Sequence, residues 1–437
     1  MTARYLPSVE EVLTRYPDLP PEAVFKEDLL RLGMAFEEDA LVAAEGKKAK
    51  SYFIFSFDRQ PITEMERQEH RRVPEEIALR GGPRDFRRTI VSVRINPDSP
   101  YRVTAAGDGL VLRLEEEAIC GVELPENPPY YRRSLASGKP IIEVTPTIEW
   151  GYLIYLTVYR KCQYFGKGEE CRFCDINENY RQQVAAGRPY QTVKDLGEML
   201  EALAIVNEED RERRSRAYTI TGGAVTVKLK GESEVDFYLQ YAAAIEGRFP
   251  GRWISKMVVQ ALPREDLLRF REAGVKIYHP NYEVWDPRLF GLLCPGKERF
   301  IGRDEWIRRV VDAAEVFGSS RVIPNFVAGV ELSRPHGFET VEAALRSTGA
   351  GLEFFMSKGI SPRFTVWCPE PLSELGTDQG PAPLEYHAGL LRLWRDTHAR
   401  HRLPVPPGYG EPGAGRAIFS VSSFMDVIDP ATPVAPV

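Results

Sequence analysis

The stretch "GYLIYLTVYRKCQYFGKGEECRFC", residues 151–174, joins two kinds of sequence. Its first ten residues are dominated by aliphatic, aromatic and β-branched side chains, which predicts a buried strand. The remainder is polar, contains Gly166 and Gly168, and carries Cys162, Cys171 and Cys174, half of the six cysteines in the chain. A polar, glycine-containing loop is a poor place for cysteine to act as a small buried hydrophobe. The three thiols therefore read as metal ligands or catalytic groups at the end of a strand.

Downstream the pattern is regular. "TVKDLGEMLEALAIV" predicts an amphipathic helix, with Thr192 and Asp195 fitting a capping box. "AYTITGG" predicts a second strand and "EVDFYLQYAAAI" a helix ending near Gly247. "WISKMVVQA" predicts a third strand, succeeded by the helix "PREDLLRFREAG", with Pro263 in its first turn and a stop at Gly274. "VKIYHPNYE", "RVIPNFVAGVE" and "SPRFTVWCPE" supply three more strands. They alternate with "RDEWIRRVVDAAEVFG", "TVEAALRSTGAGLEFFMSKG" and "APLEYHAGLLRLWRDTHAR" as helices. Six strand–helix units in series demand parallel strands joined by right-handed crossovers. Such a series suits a doubly wound sheet or an incomplete barrel. In either, ligands gather at the carboxyl ends of the strands, where Cys162 lies.

Residues 1–145 lack this alternation. "SVEEVLTRYP" and "PEAVFKEDLLRLGMAF" have helical spacing, "RTIVSVRI" follows before the turn cluster "NPDSP", and "YRVTAA", "GDG" and "LVLRLEEE" predict a β-hairpin. "ENPPYYRRSLASGKP" reads as a linker. The expected organisation is an N-terminal α+β extension over 1–145, to which no role is assigned, an α/β core over 146–405, and a tail over 406–437. The Pro- and Ala-rich "DPATPVAPV" is expected to be partly disordered.

A composition 43% hydrophobic and 27% charged is that of an ordinary globular protein, and a net charge of −6 does not call for a polyanionic partner. The Arg-rich stretches "ERQEHRRVPEE" and "EEDRERRSR" are interleaved with glutamate and read as solvated surface, so nucleic acid is not an expected partner. No run approaches ~20 apolar residues and the N-terminus lacks a signal-peptide core, so no membrane association and a cytoplasmic location are expected. There thiols stay reduced, which favours a metal over disulfides.

A structural zinc site wants a fourth Cys or His. Cys120, Cys294 and Cys368 stand alone in the sequence. The histidines nearest the loop are His70 and His279. A 4Fe–4S cluster normally takes four cysteines, and three leave one iron open to a non-protein ligand. Three cysteines after the first strand of a (βα)6 series, ending C-x-aromatic-C, resemble the radical S-adenosylmethionine superfamily. The spacing here, C-x8-C-x2-C, departs from the usual C-x3-C-x2-C in its first half.

The resemblance implies a partial (βα)6 TIM-like barrel, a 4Fe–4S cluster on Cys162, Cys171 and Cys174, and S-adenosyl-L-methionine bound at the open iron. It implies reductive cleavage to a 5′-deoxyadenosyl radical that abstracts hydrogen from a small-molecule substrate. The electron comes from a donor such as flavodoxin or ferredoxin. Phe173 is the aromatic residue of the motif. Gly222 and Gly223 in "TITGGA" match the turn whose backbone receives the methionine amino group, with Ala224 in place of the acid. Glu283, beside Asn281, matches a cofactor-contacting carboxylate on the fourth strand. Val327 and Gly329 match the strand packed on the adenine, and Trp367 and Pro369 the Pro-rich exit lining the same pocket. "CPGKERF", residues 294–300, resembles a segment of biotin-synthase-like members, and no role is carried over to Cys294. Tyr159, Lys256, Gln260, Tyr278, Asn281 and Tyr282 are polar or aromatic candidates for holding substrate, and none is assigned as a catalytic donor.

No second group of closely spaced cysteines and no D-x-H-x-x-G segment is found, which argues against an auxiliary cluster and against B12-dependent methyl transfer. A second reading is a zinc-stapled α/β binding protein contacting RNA through the Arg-rich surface. A third is an enzyme with an unrelated cofactor on the same alternating fold.

Overall fold

The computed structural model describes residues 5–50 and 73–437, apart from 108, 167, 188–189, 377–378 and 413–414. The Arg-rich residues 66–72, with His70, lie outside the described residues.

Helices Tyr5–Arg15 and Pro21–Leu32 open the chain. A six-stranded sheet comes next, built from β1 (Ala35–Phe36), β2 (Glu76–Gly81), β3 (Phe86–Ser92), β4 (Tyr101–Ala106), β5 (Gly109–Leu114) and β6 (Glu117–Glu123) in the order β1-β4-β5-β6-β2-β3. The expected hairpin is β4 and β5, in register from Tyr101 opposite Leu114 to Ala106 opposite Gly109. β2 and β6 carry no strand signal in the sequence, because "EIALRG" and "EAICGVE" mix charges and Gly into the pattern. The segment read as a linker is packed. Tyr130 is buried and its hydroxyl meets Thr147 Oγ1 at 2.9 Å.

β7 (Thr147–Ile148) pairs antiparallel with β8 (Leu153–Tyr159), the strand that leads into the cysteines. β9 (Ala217–Gly222), β10 (Ile254–Val259) and β11 (Ile277–Pro280) then join β8 in sequence order, all parallel. β12 (Asn325–Ala328) and β13 (Arg363–Val366) form a parallel pair. Parallel bridges from Tyr278 to Val322 and from Glu283 to Phe326 tie that pair to β11. Each strand lies beside its predecessor, so the order never reverses and a doubly wound sheet is excluded. The array stays open. Its β13 edge meets the C-terminal segment, where Val366 N donates to Val421 O at 3.2 Å.

That segment also receives Ser92 N on Ser420 O at 2.9 Å and Lys26 Nζ on Phe419 O at 2.7 Å. It is the seam between the N-terminal sheet and the parallel array. The residues read from composition as partly disordered form contacts of their own, with Val405 N on Pro433 O at 2.9 Å and Ala435 N on Val405 O at 3.0 Å.

The helix that leads from the cysteine loop into β9 runs Leu196–Glu209 with Asp195 as N-cap, its side chain accepting from Glu198 N at 2.9 Å. Thr192 does not cap. Its carbonyl accepts from Arg160 N at 2.7 Å and Lys194 N donates to Val158 O at 2.9 Å, so residues 192–194 extend along the end of β8. Backbone pairing there outweighs a side-chain cap one turn earlier.

Candidate functional site

The cysteine loop leaves β8 at its carboxyl end and is held from several sides. Cys162 N donates to Asn177 Oδ1 at 2.9 Å, and Asn177 Nδ2 donates to Tyr164 O at 2.8 Å. Asn177 is 2% exposed, in the helix Ile176–Ala185 just after the last cysteine. Gln163 N donates to Ala224 O at 2.9 Å, and its Oε1 accepts from Thr226 N at 2.7 Å, which fixes the loop to the turn after β9. Arg172, between the two closest cysteines, is pinned by its backbone. Its N donates to Leu293 O and its O accepts from Leu375 N, both at 2.9 Å. Loops after β9, β11 and β13 thus converge on the cysteines, as parallel strands of consecutive order bring their carboxyl ends to one side.

Cys162 and Cys171 are partly exposed and Cys174 is exposed. Cys174 N closes a tight turn on Cys171 O at 3.0 Å. Burial pushes the Cys162 thiol up to about 12, with the charge of Cys171 adding to the rise. Cys171 moves the other way. A hydrogen bond from Cys294 is the main cause of its lowering, burial opposes it, and the Lys297 cation assists. Cys294, alone in the sequence, is fully buried against the loop in space. Phe173 is half-buried and packs on the core.

The iron–sulfur cluster implied by the resemblance can be set against this donor set. Three thiols rise from one loop and feel one another's charge, and the chemistry of three soft sulfur donors suits iron. Among the described residues no three or more His, Cys, Asp or Glu side chains gather as one metal ion requires. The loop therefore does not form a mononuclear zinc cage completed by Cys294. Three soft sulfur donors on one loop are the chemistry an iron–sulfur cluster would take.

Gly222 and Gly223 end β9. A Cβ on Gly222 would sit 2.6 Å from Tyr238 Oη and 2.7 Å from Tyr159 O. One on Gly223 would sit 2.5 Å from Cys162 Cα and would strike Lys161 O. The close approach these glycines permit is to the cysteine loop itself. Gly223 O accepts from Tyr238 Oη at 2.8 Å.

Glu283 is 8% exposed and adopts φ 75°, a left-handed conformation held by Glu283 N on Asn325 O at 2.9 Å and Val327 N on Glu283 O at 2.8 Å. Its carboxylate faces Lys297 Nζ at 2.6 Å. Lys297 also donates to Asn281 O at 3.1 Å and lies 4.5 Å over the Trp306 ring. Asn281 Oδ1 is buried with no hydrogen-bond partner.

Val327 is half-buried in β12, and Gly329 comes just after it at φ 101°. Gly329 and Trp367 line a cavity of about 240 Å³ with Leu332, Phe338 and Ala382. Trp367 Nε1 is buried and has no hydrogen-bond partner among the described residues. Pro369 is buried but not among the lining residues. Ligand pockets typically measure ~300–1,000 Å³, so this cavity suits one portion of a ligand.

The other polar candidates have structural partners. Tyr278 donates to Gln260 O and stacks on Phe317, while Tyr282 packs among Trp285, Phe290, Phe326 and Phe355. Lys256 donates to Gly408 O, and Tyr159 packs edge-on against Phe237. Gln260 accepts from Tyr164 Oη and donates to Glu234. Asn177, Cys294 and Lys297 are neighbours of the site that the sequence alone does not reveal. Only the motif "CPGKERF" signals the last two.

No family model matches the chain. It is 21% identical over 351 residues to bacteriochlorophyllide c C-7(1)-hydroxylase of Chlorobaculum limnaeum, covering 76% of this chain and 83% of that protein. Among solved structures it is similar to methylornithine synthase PylB (14% identity, TM-score 0.40, 56% of this chain and 62% of that one). It is also similar to the [FeFe]-hydrogenase maturase HydG (12%, 0.40, 55% and 49%). A third is OxsB, a cobalamin-dependent S-adenosylmethionine radical enzyme (11%, 0.33, 62% and 32%). The chain spans less than two thirds of each of these solved chains.

Proposed function

We propose that this chain is a radical S-adenosylmethionine enzyme acting on a small molecule. The observation that carries the reading is the loop of Cys162, Cys171 and Cys174 at the carboxyl end of β8, gripped by the loops after β9, β11 and β13.

Bound there, a 4Fe–4S cluster would supply an electron to the sulfonium of S-adenosylmethionine and so generate the 5′-deoxyadenosyl radical. Cys162, Cys171 and Cys174 would hold the cluster and Phe173 would cover its apolar side. Gly222 and Gly223 hold the β9 turn against Cys162, which sets the backbone that would receive the methionine end. Glu283, oriented by Lys297, is the candidate polar contact. The cavity beside Gly329 and Trp367 would take the adenine end, with Trp367 Nε1 free to donate, and Val327 and Pro369 would back it. A primary radical must be kept from solvent, and the N-terminal extension and the segment after residue 405 are the candidates for covering it.

The zinc-stapled binding protein is not favoured, since the described residues form no mononuclear metal group. Anaerobically purified protein tests the reading. Iron and sulfide with broad charge-transfer absorption, lost in Cys174→Ala, are expected, as is 5′-deoxyadenosine on reduction with S-adenosylmethionine. Stoichiometric zinc without iron or sulfide would sink it.

A further inference from the structure

The residues that lengthen the first half of the cysteine motif carry an aromatic side chain outward. Phe165 is 44% exposed. It stands three residues from Cys162, at most ~11 Å along the chain. Its ring meets Tyr180 edge-on at 6.3 Å, and Tyr180 meets Tyr190 at 6.1 Å. Val184 follows Tyr180 by four residues on helix Ile176–Ala185, hence on the same face, and is 52% exposed. Val227, 80% exposed, is drawn alongside by Gln163, whose Oε1 accepts from Val227 N at 3.0 Å and whose Nε2 donates to Lys228 O at 3.0 Å. Apolar residues exposed singly are ordinary, whereas an aromatic and aliphatic patch with a polar rim marks a protein contact.

The rim is cationic. Lys161 Nζ lies 4.3 Å over the Tyr180 ring and 4.6 Å over Phe165. Lys228 and Lys230 are exposed on the turn beyond Val227. Among the described residues none of these three lysines is ion-paired. The acids of the loop and its helix already have partners: Glu169 pairs with Arg299, and Glu170 and Glu178 pair with Arg181. Glu232 shares the turn of Lys228 and Lys230, and the uncompensated charge around the patch remains positive.

Resting on the proposed cluster, we infer that this face is the docking site of a flavodoxin-type electron carrier. Two properties select that occupant. Unpaired lysines around the patch attract an acidic partner and steer its approach. An aromatic centre on the cluster's own loop suits a carrier whose redox group is a flat apolar edge, as a flavin is. One electron passes from the flavin hydroquinone anion to the oxidised cluster. The flavin becomes the neutral semiquinone, the cluster gains one negative charge, and no proton moves.

The test uses the anaerobically reconstituted full chain with a bacterial flavodoxin as probe. Binding of oxidised flavodoxin is measured by calorimetry, and cluster reduction by flavodoxin hydroquinone by stopped-flow absorbance, each at low and high salt. Reduction by dithionite is the comparison. The double variants Lys228→Glu/Lys230→Glu and Val184→Ser/Val227→Ser lie outside the cysteine loop, and are expected to keep wild-type iron, sulfide and reduction by dithionite. Both are expected to bind flavodoxin at least ~10-fold more weakly and to be reduced by it correspondingly more slowly. Salt should weaken binding to the wild type and leave the Lys228→Glu/Lys230→Glu variant little changed. Wild-type affinity and rate in both variants would overturn the inference. So would a wild-type cluster that dithionite reduces and flavodoxin hydroquinone does not. A wild-type chain that assembles no cluster overturns the functional reading and this inference with it.

Discussion

Lys297 Nζ meets Glu283 Oε1 at 2.6 Å, and the two side chains are only 12% and 10% exposed. The pair links the helix Pro295–Phe300 to the turn after β11, across the mouth of the parallel array. Removing one partner of such a pair leaves an uncompensated charge, which costs about 3 kcal/mol or more when buried. Lys297→Met should therefore lower the denaturant-derived stability by about that amount, and the double variant Lys297→Met/Glu283→Gln should recover most of it. Equal stabilities for the single and double variants would contradict this.

Gly223→Ala should damage the site, because its Cβ would press on Cys162 Cα at 2.5 Å. Overpacking against backbone costs roughly 1–3 kcal/mol, and the strain falls on Cys162, a proposed cluster ligand, so iron loading should drop as well. Gly247→Ala is the contrasting case. It lies in helix Glu234–Arg248 with nothing within 4 Å of the added Cβ, and should stabilise by roughly 0.5–1 kcal/mol. Chemical unfolding with iron assay reads both.

Asn177 is the bracket of the cysteine loop, accepting from Cys162 N and donating to Tyr164 O. Asn177→Ala leaves two backbone groups without partners, at roughly 1–3 kcal/mol each. Lower stability and reduced iron content are expected. An iron content equal to wild type would show that the loop keeps its shape without the bracket.

Glu27 and His387 give a pH signature remote from the cysteines. Both are fully buried, with Glu27 Oε2 3.6 Å from His387 Nδ1 and neither atom hydrogen-bonded. Burial raises Glu27 to about 7 and lowers His387 to about 3, while Ser423, Lys26 and Arg94 partly offset the Glu27 shift. A carboxyl raised in the fold binds its proton more tightly folded than unfolded. Its stabilising contribution is complete below pH ~4.5 and is lost as pH rises to ~7. Glu27→Gln removes that loss. The stability of Glu27→Gln relative to wild type should rise by about 3 kcal/mol between pH 4.5 and 7 and level off above. A difference independent of pH would refute the shift.

The strand–helix alternation was legible because period-2 and period-3.6 patterns are local properties of the chain, and all six parallel strands lie where "GYLIYLTVYR" to "SPRFTVWCPE" put them. β2 and β6 were not, since Glu76 and Glu123 sit in strands whose partners, not their own residues, define the faces. The cysteine trio was visible as a motif, while Cys294 looked isolated at 120 residues' remove from Cys174.

The sequence by itself determined the alternating strands and helices of the parallel array and set three cysteines in one loop, because spacing and side-chain chemistry are written along the chain. Only the tertiary structure decided that the strands lie in consecutive order, that Lys297 faces Glu283, and that Asn177, Leu293 and Leu375 grip the cysteine loop. The physical reason is that each of these contacts is formed by chain closure over distances at which no local pattern carries information, and is selected by the packing of the array as a whole.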